Sequence, residues 1–291
     1  MIIFYSRGFM CNGLFQYSFL KSIAKPNEKI YCIDSLMHGM NDVQKNFELN
    51  DSNLNIYLPN RAIDIIFRLV FFPFIYFLAK IHLFNYFKLL KDREGNIDSQ
   101  IDKKTGLLPI NIVHSDFFQS ENLFDKDKIH IKVRDVHFKK AQNIFNSFPK
   151  NREKVFLHIR RGDYLSITYN SIKGVNLPLS YFNKAIGLIN KELDSPYYIL
   201  LSDDSEFLEQ AFQNINEKDK YISKNSAIVD LSLMSLCEYG VCSNSTFAWW
   251  GSFLMEKKQH VIFPKYWLGW KSKIESHPGI QPSWSHIINV E

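Results

Sequence analysis

From Lys154 onward, short apolar β-rich runs alternate with segments of helical period, and this alternation limits the folds open to the chain. The runs are Val155–Ile159, Tyr197–Leu201, Tyr239–Cys242 and His260–Phe263; between them lie Leu179–Leu193, Ser205–Asn214 and Ile228–Leu236. Successive parallel strands need a crossover of a dozen or more residues, and a helix supplies it. The pattern therefore predicts an α/β chain, a parallel sheet with helices on both faces. The N-terminus opens the same way, with a strand over Ile2–Tyr5, a turn at Ser6-Arg7-Gly8 and a helix from Leu14 to Ala24. A charged, proline-containing joint at Phe148-Pro149-Lys150-Asn151 suggests two domains, 1–150 and 151–291.

Composition narrows the function classes. With 46% hydrophobic and 22% charged residues over 291 positions, the chain has ample core and is not disordered. A net charge of +5 is too mild for a nucleic-acid protein and suits one that meets phosphates or an anionic surface. Four cysteines without a CxxC pair argue against a disulfide framework and a thiolate zinc site, and for reduced, buried thiols. The opening Met1-Ile2-Ile3-Phe4-Tyr5 has no basic n-region and no cleavage site, so a cytoplasmic protein is expected. The polar stretches 41–60 and 91–106 read as surface loops.

Between them lies the most apolar stretch, Leu69 to Ala79, preceded by Arg68 and followed by Lys80. It is shorter than the ~20 residues of a spanning helix, and Pro73 is expected to interrupt it. The wider segment 61–91 sets Arg61, Arg68, Lys80, Lys88 and Lys91 among Phe, Leu, Ile and Tyr. It reads either as a basic helix pair lying peripherally on an anionic membrane or as a helical hairpin packed into the first domain.

Parallel sheets bind ligands at the carboxyl ends of their strands. Each of the four runs of the second half leads directly into polar residues: His158 to Asp163, Ser202-Asp203-Asp204, Ser243 to Thr246, and Pro264-Lys265. Adjacent Arg160 and Arg161 are costly to bury unless an anion meets them, and their forked donors match phosphate oxygens. Asp163 either holds one arginine in place or acts on a substrate proton. His158 alternates with Arg160 and can share its face. Asn244, Ser245 and Thr246 precede an apolar helical run, as a phosphate nest at a helix N-terminus would; Trp249 and Trp250 read as core. No GxGxxG and no GxxxxGK[ST] occurs, which removes the main support for nicotinamide and P-loop enzymes. Asp203 and Asp204 are expected to point to opposite faces, a weak metal clamp, and no zinc spacing is present.

HIRRGDY at 158–164, SDD at 202–204, DLSLMSLC at 230–237, NSTFAWWGSFL at 244–254 and FPKYW at 263–267 resemble the α-1,2-fucosyltransferases of glycosyltransferase family eleven. The likeness covers nearly all of 151–270 and extends weakly to Asn12, Phe15-Gln16-Tyr17 and Phe117-Phe118-Gln119-Ser120. Where the family has a glycine-rich opening, this chain reads Arg7-Gly8-Phe9-Met10-Cys11-Asn12-Gly13. The resemblance implies two Rossmann-like domains in a GT-B-like arrangement with a cleft between them, the N-terminal one serving the acceptor. It also implies an inverting, metal-independent transfer of L-fucose from GDP-fucose to a hydroxyl, galactose O2 in class, of a bacterial surface glycan. A lipid-linked acceptor, together with segment 61–91, would place a cytoplasmic enzyme peripherally at the inner face of the plasma membrane. Arg160 or Arg161, with Asn244 to Thr246, would meet the phosphates. His158 and one of Asp203 or Asp204 would sit near guanosine, and Asp163 would be the base. The alternatives are another nucleotide sugar on the same scaffold, or a non-catalytic nucleotide- or glycan-binding module.

Overall fold

The structure, a computed structural model, describes residues 1–49, 51–91 and 97–291. Parts of the two expected loops, Asn50 and residues 92–96, lie outside the described residues, as does the side chain of Lys91. The chain divides into two compact units: Met1–Lys132 with Pro278–Ile280, and Val133–His277 with Gln281–Glu291. The joint at 148–151 falls inside the second unit, after a helix that packs within that unit.

The first unit is built from β1 (Ile2–Ser6), α1 (Met10–Ile23), β2 (Ile30–Asp34), α2 (Gly39–Asn46), β3 (Leu54–Tyr57), α3 (Arg61–Lys80), β4 (Phe84–Lys91), β5 (Ile97–Lys104) and β6 (Leu108–Val113). Its sheet runs β3-β2-β1-β6-β4-β5, parallel except for the edge strand β5. Helix α1 starts four residues before the expected Leu14, because Gly13 lets its first turn lie against the backbone of Gly39; a Cβ there would stand 2.5 Å from the Gly39 carbonyl oxygen.

Three expectations for this unit are overturned. The 41–60 stretch is not all loop: the Asp34 carboxylate accepts from the Asn41 N–H at 2.8 Å and holds the first turn of α2, and β3 adds an edge to the sheet. Much of 91–106 is strand, since β5 pairs with β4. Segment 61–91 is neither a helix pair nor a packed helical hairpin; it is one helix followed by a strand. Pro73 does not interrupt the helix, because residues 67–71 form a π turn immediately before it. A proline clashes with the carbonyl four residues back and donates nothing to it, and the wider π turn accommodates both defects.

The second unit comprises α4 (Asp135–Asn146), β7 (Lys154–Ile159), α5 (Leu179–Glu192), β8 (Tyr197–Ser202), α6 (Ser205–Ala211), β9 (Lys220–Ile222), α7 (Ala227–Ser235), β10 (Tyr239–Val241), α8 (Thr246–Phe253), β11 (His260–Pro264) and β12 (Ser285–Ile288). The six strands of its main sheet are all parallel, in the order β9-β8-β7-β10-β11-β12. Numbered within the unit this is 3-2-1-4-5-6, the doubly wound order, whose switch point lies between β7 and β10. On one face Val155, Leu157, Leu200, Val241 and Ile262 pack with Tyr181, Phe182, Ala185 and Ile189 of α5. Trp249 and Trp250 are fully buried, in keeping with a core role, and all four cysteines are buried, with no disulfide among the described residues.

Gly240 sits beside Phe156 on the neighbouring strand, and the phenyl ring covers it so closely that a Cβ would stand 2.2 Å from the ring. Overpacking of this kind costs about 1–3 kcal/mol. Gly240→Ala should therefore lower the unfolding free energy in urea titrations by that amount, with a lower midpoint; an unchanged midpoint would show that the ring moves aside freely.

Candidate active site

The strand ends that flank the switch point carry the polar residues singled out above. Beyond β7 the chain turns through Arg160 and Arg161 into a short 3-10 turn at Gly162–Leu165. Each guanidinium is held by carboxylates. Arg160 donates from Nε and Nη2 to Asp163 Oδ1 (3.1 and 2.8 Å), and its Nη1 lies 3.0 Å from Asp203 Oδ2. Arg161 donates from Nε to Asp204 Oδ2 at 3.0 Å and from its backbone N–H to Asp203 Oδ1 at 2.9 Å, while its guanidinium lies 3.6 Å above the Phe207 ring. All three nitrogens of Arg160 are thus engaged, whereas the two terminal nitrogens of Arg161 have no partner among the described residues. Both arginines keep about a quarter of their side-chain surface exposed.

Asp203 and Asp204 do not point to opposite faces. They follow the last residue of β8, Ser202, where the strand alternation has ended, and both turn toward the arginine pair. Asp204 also caps α6, accepting from the Phe207 N–H, and this bond together with Arg161 holds its carboxyl below the usual range. Gly162 leaves room for Asp203, since a Cβ there would stand 2.5 Å from its Oδ2.

Across the switch point, His158 Nδ1 and Ser243 Oγ are 2.8 Å apart, and the imidazole packs on Phe247. The ring is almost wholly buried; burial, reinforced by Arg160, pushes its pKa down to about 3, so it is neutral at physiological pH. Asn244 departs from the expected nest. Its side-chain amide donates to the carbonyls of Val175 (2.8 Å) and Trp267 (3.3 Å), and its backbone carbonyl accepts from the Tyr164 hydroxyl at 3.1 Å. The side chain ties loops together and has no N–H left for a ligand. Ser245 caps α8, accepting from the Phe247 N–H, and Thr246 stands half-buried at the first helical position.

Two further side chains were given no role on sequence grounds. Tyr164 links the arginine turn to Asn244. Asp230, inside the DLSLMSLC run, is buried beyond the end of β9, accepts from Ser223 Oγ, and is pushed up to about 6 by burial. A lone carboxylate in an otherwise apolar helix was its only signal. Among the described residues, no group of three His, Cys, Asp or Glu side chains is placed to hold a metal ion.

The first unit has its own switch point, between β1 and β6, and the weakly matching segments meet there. Asn12 Oδ1 accepts from Gln119 Nε2 at 2.7 Å, Gln16 bridges Ser6, the Arg7 carbonyl and the Asp116 carbonyl, and Arg7 donates to Ser115.

The buried imidazole sets a pH dependence of stability. An unfolded histidine titrates near 6.5, so below that pH the unfolded chain binds a proton that the native site refuses, and stability falls as pH drops toward 3. Asp230 acts in the opposite sense: with its pKa raised, the native chain takes up a proton before the unfolded one, which favours the folded state increasingly as pH falls through about 6. The two are separated by variant. Between pH 7 and pH 5, His158→Gln should lose about 2 kcal/mol less stability than the parent chain in urea titrations. Parallel losses in the two proteins would mean that His158 is protonated in the folded state.

Comparison with known proteins agrees with this geometry. The description Glycosyl transferase family 11 matches residues 5–287. The O-antigen biosynthesis glycosyltransferase WbnK of Escherichia coli is 33% identical over 129 residues, which cover 43% of this chain and 42% of that protein. An alpha-1,2-colitosyltransferase of Escherichia coli is 26% identical over 178 residues, 59% of this chain and 61% of the other. The galactoside 2-alpha-L-fucosyltransferase SEC1 of Bos taurus is 26% identical over 136 residues, 43% and 35%. The chain thus spans less than two thirds of the length of these relatives. Among solved structures, the Escherichia coli ADP-heptose lps heptosyltransferase II superposes with a TM-score of 0.52 at 9% identity, over 99% of this chain and 90% of that one. The NodZ alpha-1,6-fucosyltransferase crystallised with GDP gives 0.50 at 12% identity, over 87% and 92%. These likenesses establish a fold of the GT-B-type glycosyltransferases, and the match across almost the whole sequence establishes that the chain belongs to glycosyl transferase family 11.

Proposed function

We propose that this chain transfers L-fucose from GDP-fucose to a hydroxyl, galactose O2 in class, of a bacterial surface glycan, with inversion and without a metal. The observation that carries the reading is Arg161: anchored through Nε and stacked on Phe207, it keeps its terminal nitrogens for an anion at the carboxyl end of the sheet. The names of the α-1,2-transferring relatives support the sugar class and linkage, and the O-antigen relative supports the acceptor class. Acceptor recognition is assigned to the first unit. Four buried cysteines that form no disulfide among the described residues suit a reducing compartment, so the reaction is proposed for the cytoplasm.

The acceptor oxygen attacks the anomeric carbon as the bond to the β-phosphate oxygen breaks on the opposite face, its electron pair leaving with GDP. Charge builds on that phosphate, where Arg161, the Thr246 hydroxyl and the N–H groups opening α8 stabilise it. Arg160, fixed by Asp163 and Asp203, adds positive potential and keeps Asp163 in place. The second oxygen of Asp163, which Arg160 does not occupy, takes the acceptor proton. His158, neutral and locked on Ser243, and half-buried Asp204 are assigned to the nucleoside.

A second reading keeps the mechanism and changes the sugar. Colitose is fucose without its 3-hydroxyl, and the colitosyltransferase relative matches over more of this chain than the other two relatives named. Release of GDP from GDP-fucose, GDP-colitose and GDP-mannose, with UDP-sugars as controls, separates the readings, and no release from any of them rejects both.

Two further outcomes are expected. Arg161→Ala should lower kcat at least ~100-fold with the thermal midpoint nearly unchanged, and Arg161→Lys should not restore it, because an ammonium lacks the fork. Near-normal turnover in both Arg161→Ala and Arg160→Ala would remove the phosphate assignment. Turnover should also survive exhaustive EDTA treatment; activity abolished by the chelator and restored by Mg²⁺ or Mn²⁺ would replace the arginine mechanism with a metal-assisted one.

A further inference from the structure

Helix α3 buries only one narrow side. Phe72, Ile75 and Ala79 pack on the sheet through Tyr5, Ile33, Tyr86 and Ile112, and Asp64 accepts from the Tyr5 hydroxyl at 2.7 Å. The opposite side is apolar and uncovered: Leu69 and Val70 are each 63% exposed, Phe74 58% and Phe77 57%. The ridge continues past both ends of the helix. At the start, exposed Tyr57 lies edge-on to Phe67. At the finish come exposed Ile81 and then Leu107, whose N–H donates to the His82 carbonyl. Soluble monomers rarely leave so large a contiguous apolar patch in water.

The charges around the ridge are of one sign. Arg61, Arg68 and Lys80 are exposed and make no ion pair among the described residues, while the one acidic residue of the helix, Asp64, is buried on the other side. Two copies of this face brought together would set uncompensated cations against each other. A surface that is apolar and anionic answers both features.

We propose that α3 docks the protein on anionic phospholipid bilayers, lying in the plane of the interface with Leu69, Val70, Phe74 and Phe77 in the headgroup–acyl boundary and Arg61, Arg68 and Lys80 on lipid phosphates. The helix is long and apolar enough to cross a membrane, with 20 residues that include an 18-residue window of mean hydropathy 2.0. Crossing would strip Phe72, Ile75 and Ala79 from the sheet and carry Asp64 into hydrocarbon, so the in-plane orientation is the one the fold permits. The proposal is independent of the sugar transferred and of the catalytic assignment.

Vesicle co-sedimentation of the full chain tests it, with phosphatidylcholine alone and with about one third phosphatidylglycerol. Binding should be at least ~10-fold tighter to the anionic vesicles, fade at high salt, and be fully reversed by alkaline carbonate. Arg61→Glu with Lys80→Glu should weaken it at least ~10-fold with the apolar ridge intact. Leu69→Ser with Phe74→Ser and Phe77→Ser should abolish it; these positions are exposed, and an unchanged thermal midpoint in each variant verifies the fold. Indifference to lipid charge at low salt, binding unaffected by the charge reversals, or resistance to carbonate would each overturn the proposal. So would a ridge-dependent dimer by light scattering with no vesicle binding, which would assign the face to a second copy of the chain.

Discussion

Two guanidinium groups at consecutive positions of one strand end pose the electrostatic problem around which the second unit is arranged. Their mutual repulsion, and the cost of removing them from water, are offset by Asp163, Asp203 and Asp204, drawn from two different strand–helix connections. Asp203 is the shared member, taking a side-chain contact from Arg160 and a backbone N–H from Arg161. That bridge ties the end of β7 to the end of β8, and it requires a residue as small as Gly162 beside it. The arginine geometry is therefore a property of the fold and not of two flexible side chains.

Much of this was readable in the sequence because strand ends in a parallel sheet announce themselves: an apolar run stops and polar residues begin. β7, β8, β10 and β11 were legible for that reason, and the rim followed from them. β9 was not, since it is three residues long and begins with Lys220, a buried cation whose ammonium is satisfied by the carbonyls of Phe212 and Ile215, an arrangement no local pattern encodes. β12 is likewise short, and its pairing with β11 is decided by position in the sheet. Helix α3 failed differently: propensity rules break a helix at Pro73, while the structure widens one turn and continues.

Side-chain roles were harder to read than side-chain positions. A motif predicts that Asn244 stands near an anion, but not that its amide faces inward to carbonyls from two distant loops. The carboxylates of Asp203 and Asp204 were expected to diverge by strand alternation, and converge because the strand has ended. In both cases the deciding partners come from remote sequence, and they are visible only once the sheet order is known. The first unit repeats the lesson, since Asn12 and Gln119 become neighbours through the adjacency of β1 and β6.

Asn244 has a consequence for the way the rim meets a ligand. Three segments, around Tyr164, Val175 and Trp267, hang from this one residue, and Trp270 adds a second bond to the Val175 carbonyl. Loops fastened at a common point lose their conformational freedom when the chain folds, so that entropy is not charged again on association. Under the proposed reading, affinity at such a rim would be governed by the fit of the incoming molecule to a shape already made, and sugars differing by one hydroxyl would be told apart by that fit and not by loops closing around them.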